Sequence, residues 1–118
     1  MYHTDHCGKK GTVMEKTIKN WLLAHEEEFI QDLFTLVRIN SVRGETKEGL
    51  PFGEGPKEAL EAGLKICERY GFHTKNWDNY VGTADFSPEL PHNLDILGHL
   101  DVVPAGEGWE VTGPFEPL

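Results

Sequence analysis

The sequence predicts an α/β fold, and three features support this prediction. Two amphipathic helical segments come first, two short alternating segments follow them, and an apolar run comes last. A run that is apolar on both faces is typical of a strand buried inside a sheet, with helices covering both sides. Helices and strands in this order, with polar residues at the end of the buried strand, indicate an α/β sheet.

Composition limits the size and the class of the protein. With 118 residues and 13.3 kDa, the chain can form at most one domain. Its net charge of -9 argues against nucleic acid as a partner. No apolar run approaches the ~20 residues of a membrane span, so we expect no membrane partner. Cys7 and Cys67 form no disulfide framework, which predicts a reducing cytoplasm.

Residues 1–13 show no apolar periodicity, and we expect them to be a disordered tail preceding a domain at residues 14–118. The tail contains His3, His6 and Cys7, whose side chains suit zinc. No further ligand cluster follows at the spacing of a zinc finger, so the tail interpretation is preferred.

Two helices are predicted, separated by a loop. The first covers Lys16 to Ile39, with Thr17 as a candidate N-cap. Residues 40–55 are rich in Gly and Pro and form a loop to which we assign no chemistry. The second helix has Pro56 at its first position and stops at Gly71. Cys67 lies on its apolar stripe, which favours a packed core thiol over a nucleophile.

The next two segments predict a pair of strands, Phe72 to Asp78 and Tyr80 to Phe86, joined at the turn-forming pair Asp78-Asn79. A connector rich in Pro follows. His92 in this connector is a weak candidate for a metal ligand, and a surface position is preferred.

The candidate site lies at the end of the predicted central strand, Leu94 to Leu97. His99 and Asp101 are two residues apart, so in a strand their side chains share a face. Ligands of α/β sheets bind at the carboxyl ends of the strands. A histidine ligand whose ring is held by a carboxylate is the usual arrangement around zinc. Without its context, such a pair is more often simply two polar residues at a strand end.

The context of the pair is more specific. The stretch Leu-Gly-His-Leu-Asp-Val-Val-Pro-Ala-Gly-Glu-Gly-Trp, residues 97–109, resembles the first metal-binding motif of the di-zinc metallopeptidases. This family includes carnosinases, aminoacylases and bacterial Xaa-His dipeptidases, and the bacterial dipeptidase branch is the most similar. The likeness extends to Pro51–Pro56, Tyr70–Phe72 and Pro114–Phe115.

The resemblance implies that residues 14–118 are the N-terminal, incomplete part of a three-layer αβα zinc-exopeptidase domain. In such an enzyme His99 would be a ligand of one of two zinc ions, and Asp101 would fix its imidazole as part of the catalytic site. Leu100 and Val102 would point into the fold, and the substrate would be a short peptide. The other metal ligands and the general base of the family have no counterpart in these 118 residues, so we expect the chain alone to be inactive.

Three functions remain open on the sequence. The first is the N-terminal portion of a zinc dipeptidase, which is favoured. The second is a deacylase or amidohydrolase with the same metals, and the third is a truncated, non-catalytic module that needs a partner segment.

No Lys or Arg follows Lys75, so the acidic C-terminal part is either a solvated surface or a field that attracts cations to His99. An apolar strand without enough cover also predicts self-association.

Overall fold

The computed structural model describes residues 12–91 and 94–118. It contains three α-helices and one antiparallel sheet of two strands, so the predicted α/β class is confirmed. Two compact units are present, one ending at Gln31 and the other covering Asp32 to Leu118. Within the described ranges, no helix has the length and apolar character needed to cross a membrane. The predictions for His3, His6, Cys7 and His92 fall outside these ranges.

The first predicted helix is in fact two helices, α1 (Val13–Ala24) and α2 (Glu26–Val37). The prediction of one continuous helix was wrong at His25, whose backbone N–H is shared between two carbonyls and whose Nδ1 lies 2.8 Å from the Trp21 carbonyl oxygen. These contacts close the last turn of α1. The N-cap is Thr12 and not Thr17, because Glu15 stands three residues after Thr12 and completes a capping box.

The second predicted helix is α3 (Glu54–Arg69), which begins two residues before Pro56. Pro56 still lies in the first turn, where its missing N–H leaves no intrahelical bond unmade. The predicted stop is confirmed: Gly71 follows the C-cap with a φ of 84°. The N–H of Gly71 donates to the Glu68 carbonyl at 2.9 Å and that of Phe72 to the Cys67 carbonyl at 3.1 Å, which is a Schellman motif.

The strands are β1 (His73–Trp77) and β2 (Val81–Asp85), as predicted apart from one residue at each end. They pair antiparallel. Residues 78–80 connect them, and Asp78 and Asn79 have φ angles of 51° and 61°, the left-handed values that type I′ turns require. Asp and Asn adopt these values more readily than most residues, so the sequence signal was reliable here.

The hairpin packs on α3, and this contact forms the centre of the second unit. A Cβ atom placed on Gly82 of β2 would lie 2.8 Å from side-chain carbons of both Leu60 and Leu64. A larger residue at this position would require the two leucine side chains to shift. On the same helix Ala59 is only 2% exposed. Cys67 is half-buried and free, in agreement with its predicted place on the apolar stripe.

A polar cluster joins Asp32 to the end of α3. The buried Asp32 carboxylate accepts hydrogen bonds from the Arg69 guanidinium and from the Tyr70 hydroxyl, the latter at 3.1 Å. The hydrogen bond that Arg69 donates to Asp32, followed by its interaction with Tyr70, raises the pKa of Arg69 above its already high ordinary value. We assign this cluster a structural role, because its acceptor is buried and paired.

The predicted central strand is not present, and this prediction was wrong. Residues 94–101 have no regular secondary structure, and Leu94, Ile96 and Leu97 are 79%, 86% and 97% exposed. A strand needs neighbours that complete its hydrogen bonds and cover its faces. In the described part of the chain, the β-type contact of this region is a single parallel bridge between Val42 and Val102.

Candidate functional site

His99 and Asp101 lie together, although the segment is not a strand. The Nδ1 atom of His99 is 2.9 Å from the backbone carbonyl oxygen of Asp101 and 3.4 Å from its carboxylate Oδ1. A carbonyl oxygen can only accept a hydrogen bond, so Nδ1 must carry the proton in this arrangement. In the neutral imidazole the other ring nitrogen, Nε2, then carries no proton, and its lone pair is available to a metal ion or a hydrogen-bond donor.

Both side chains are open to solvent. Their exposed fractions are 82% for His99 and 64% for Asp101. An exposed imidazole whose Nδ1–H is already bonded presents its Nε2 outward, which is the form in which histidine binds metal ions. The Asp101 carboxylate was predicted to fix the ring, whereas the hydrogen bond from Nδ1 is accepted by the Asp101 backbone carbonyl and the carboxylate lies 3.4 Å away. Their roles as metal ligand and catalytic residue stay predictions.

Contacts with other parts of the second unit support the backbone on either side of Asp101. Leu100 lies against α3, since a Cβ on Gly63 would be 2.8 Å from one of its methyl carbons. Val102 forms the bridge to Val42. Leu100 and Val102 were expected to point into the fold. They remain 39% and 44% exposed, so they contact the rest of the unit without being buried by it.

A cleft of about 370 Å³ opens beside the histidine, and we refer to it as the His99 cleft. The residues that line it come from the loop after α2, from α3, from the hairpin and from residues 98–101, which we call the His99 segment. They include Arg43, Phe52, Leu60, Tyr80, His99 and Asp101. The volume falls in the range of ~300–1,000 Å³ that is typical of small-molecule sites. The loop to which the sequence analysis assigned no chemistry therefore forms one wall of the candidate site.

Among the described residues that line the cleft, Arg43 is the only Lys or Arg, and its side chain is positively charged at all ordinary pH values. Its guanidinium carbon lies 5.6 Å from the centre of the Phe52 ring, within range of a cation–π contact. Tyr80 meets the same ring edge-on, with centroids 5.5 Å apart and planes at 82°. One wall of the cleft thus carries a guanidinium and a phenol, both of which can donate hydrogen bonds to an anion.

Sequence reasoning missed the contributions of Arg43, Phe52 and Tyr80. Arg43 carried one usable signal, because the chain has no Lys or Arg after Lys75 and any cation near His99 had to come from an earlier segment. Phe52 lies in the stretch Pro51–Pro56 to which the family resemblance extends, whereas Tyr80 carried no signal of its own. Their positions follow from the packing of the loop and the hairpin around α3.

The donor set present here fits part of a metal site. In residues 12–91 and 94–118, no group of three or more His, Cys, Asp or Glu side chains could hold a metal ion. A catalytic zinc ion needs about three protein ligands and an open position. His99, with Asp101 on its Nδ1, supplies one ligand and the partner that orients it.

Comparison with curated proteins identifies relatives in Staphylococcus aureus. The proteins of strains USA300, NCTC 8325 and bovine RF122, each named "Putative dipeptidase", are 41% identical to this chain over 99 residues. The match covers 80% of this chain and 20% of each relative. The chain therefore spans about a fifth of the length of these relatives. A scan against protein-family models gives no match.

Proposed function

We propose that this chain is the N-terminal portion of a zinc-dependent dipeptidase and that it supplies one zinc ligand and one wall of the substrate site. The single observation that carries the proposal is the His99–Asp101 pair at the His99 cleft, with Nδ1 bonded and Nε2 free. The similarity to proteins named "Putative dipeptidase", at 41% identity over most of the chain, supports the dipeptidase part of the proposal. The remaining layers of the αβα domain, the other ligands and the general base would belong to further sequence.

In this proposal, each residue of the cleft has a defined task. His99 would hold a zinc ion through Nε2, and Asp101 would keep the proton on Nδ1 and fix the plane of the ring. Zinc, when bound, lowers the pKa of a coordinated water and polarises the peptide carbonyl. Asp101 is assigned no proton transfer to the substrate, because its carboxylate and its carbonyl both face the imidazole.

The other wall of the cleft would bind the substrate. A dipeptide ends in a free carboxylate, and the Arg43 guanidinium is a fixed positive charge on the lining of the same cleft. The stacking of Arg43 on Phe52 limits the conformations of its long side chain, so less entropy is lost when an anion binds.

Cysteine usage is the reason that we place the enzyme in the cytoplasm.

The proposal is tested in the longer protein by replacing His99. His99→Ala should remove one zinc per chain and nearly all hydrolysis of dipeptides, whereas Asp101→Ala should cost about 10–100-fold in affinity or activity. His73→Ala is the matched control, since His73 is exposed on β1 and does not line the cleft. Zinc content by elemental analysis and release of amino acids from Ala-Ala are the measurements. Full activity of a metal-replete His99→Ala protein would rule the assignment out.

The same assay separates a dipeptidase from a deacylase with the same metals. Ala-Ala and N-acetylalanine share the free carboxylate and differ in the group on the other side of the scissile amide. We expect hydrolysis of Ala-Ala to be the faster reaction. Preference for N-acetylalanine would retain the roles of His99 and Asp101 and replace the substrate class.

A further inference from the structure

Ser41 is a buried polar residue that contacts the His99 segment from a distant part of the sequence. The residue is only 3% exposed. Its hydroxyl donates a hydrogen bond of 2.7 Å to the carbonyl of Leu100, a residue 59 positions later. The N–H of Val102 in turn donates to the Ser41 carbonyl at 3.4 Å. The two bonds from this one residue therefore hold the backbone immediately before and immediately after Asp101.

These bonds matter because, within the described residues, the two site residues have exposed side chains and contact each other through the hydrogen bond at Nδ1 of His99. His99 and Asp101 are 82% and 64% exposed, so their positions depend on the backbone that carries them. The Leu100 carbonyl belongs to the peptide group that enters Asp101, and the Val102 N–H belongs to the one that leaves it. Fixing both peptide groups fixes where the Asp101 carbonyl points, and this carbonyl is the acceptor of the His99 Nδ1–H.

Ser41 itself is held firmly. The Asn40 side-chain oxygen accepts from the Val42 N–H at 3.3 Å, and the Asn40 backbone lies so close to α3 that a Cβ on Gly55 would be 1.9 Å from its carbonyl oxygen. A buried hydroxyl without an acceptor is unfavourable, and water cannot easily reach Ser41 to replace the Leu100 carbonyl. The hydrogen bond to Leu100 should therefore be retained. The position of residues 99–102 thus depends on that of α3, through the backbone contacts of the loop and the hydroxyl of Ser41.

We propose that Ser41 is a positioning residue, which sets the Leu100–Asp101 peptide so that Asp101 engages Nδ1 of His99 and leaves Nε2 available to a ligand. The significance of a free Nε2 rests on the proposed function. The arrangement itself does not, because it can be measured without zinc or substrate. Failure of the dipeptidase assay and failure of this proposal are therefore separate outcomes.

The test compares three variants of the 118-residue chain with one control. Ser41→Ala removes the hydroxyl, Ser41→Cys keeps its size with a weak donor, and Ser41→Thr keeps the hydroxyl. Thr46→Ala is the control, because it removes a similar hydroxyl–carbonyl bond of 2.9 Å, to Pro51, in the same loop away from His99. NMR measures the imidazole ¹⁵N shifts of His99 at pH 8, above the ordinary imidazole pKa, and the exchange rate of the Val102 amide.

In the native chain the ¹⁵N shifts should show the proton on Nδ1. Ser41→Ala should move them toward a mixture of tautomers and accelerate Val102 exchange at least several-fold. Ser41→Cys should lie between the two, while Ser41→Thr and Thr46→Ala should resemble the native chain. Unchanged shifts and exchange in Ser41→Ala would overturn the proposal, as would equal effects of Thr46→Ala. Loss of the helical circular-dichroism signal in both Ser41→Ala and Ser41→Cys would also overturn it, since Ser41 would then support the whole fold.

Discussion

Replacing Gly55 with alanine should destabilise the second unit, because a methyl group has no room where α3 begins. The added Cβ would lie 1.9 Å from the Asn40 carbonyl oxygen, 3.0 Å from its carbonyl carbon and 3.3 Å from the Ser41 Cα. All three are backbone atoms, so no side chain can rotate away. The loop and the helix must separate by about 1 Å before the methyl group fits, as in other overpacked sites.

Two opposing effects decide the sign of the change. Alanine is favoured over glycine inside a helix by up to ~1 kcal/mol. Overpacking typically costs about 1–3 kcal/mol, and the upper end applies when both sides of the contact are backbone. The clash should therefore prevail, with a net loss of about 2 kcal/mol in the free energy of unfolding.

Urea unfolding followed by circular dichroism measures this loss, and Gly106→Ala is the matched control. Gly106 has no atom within 4 Å of a built Cβ, so its replacement should change stability by less than ~0.5 kcal/mol. Exchange of the Val102 amide should also accelerate in Gly55→Ala, because the displaced segment includes Ser41. A Gly55→Ala chain as stable as the Gly106→Ala chain would refute the close approach of the loop to α3.

The other predictions concern the turn, the metal and the exposed apolar segment. Asp78→Val should cost about 1–2 kcal/mol, because a β-branched residue tolerates the φ of 51° poorly, whereas Asp78→Gly should not destabilise; thermal melting distinguishes them. Calorimetric titration of the 118-residue chain with zinc should show no tight two-site isotherm, and dipeptides should not be hydrolysed. Zinc-dependent turnover would mean that the other ligands come from elsewhere, such as a second copy of the chain. The chain should self-associate in size-exclusion chromatography with light scattering, and Leu97→Asp should reduce this association while Glu107→Asp should not. A cooperative monomer of 13.3 kDa would contradict it.

The features that the sequence predicted well depend on a few neighbouring residues. The stop of α3 at Gly71 and the turn at Asp78-Asn79 both require left-handed φ angles, and Gly, Asn and Asp are the residues that adopt them. The start of α1 is also determined by neighbouring residues. Thr12 and Glu15 stand at capping-box spacing, and this signal was present but overlooked in favour of Thr17.

The features that the sequence did not predict depend on residues far apart along the chain. An apolar run such as Leu94 to Leu97 indicates a buried strand only when strands and helices are available to pair with it and cover it. The bond between Ser41 and Leu100 spans 59 residues, and no local pattern marks either partner. The His99–Asp101 pair was found from its spacing, whereas the wall that faces it, with Arg43, Phe52 and Tyr80, was not.

The position of the candidate site therefore depends less on a strand than on α3 and the loop before it. Gly63 admits the Leu100 side chain against α3, and Gly55 admits the Asn40 backbone at the start of the same helix. Ser41, next to Asn40, then bonds to both sides of Asp101. Because backbone contacts of this kind leave little freedom, an exposed histidine can keep one ring nitrogen bonded without being buried. A larger residue at Gly55 should thus alter the geometry at His99, although this glycine does not line the His99 cleft.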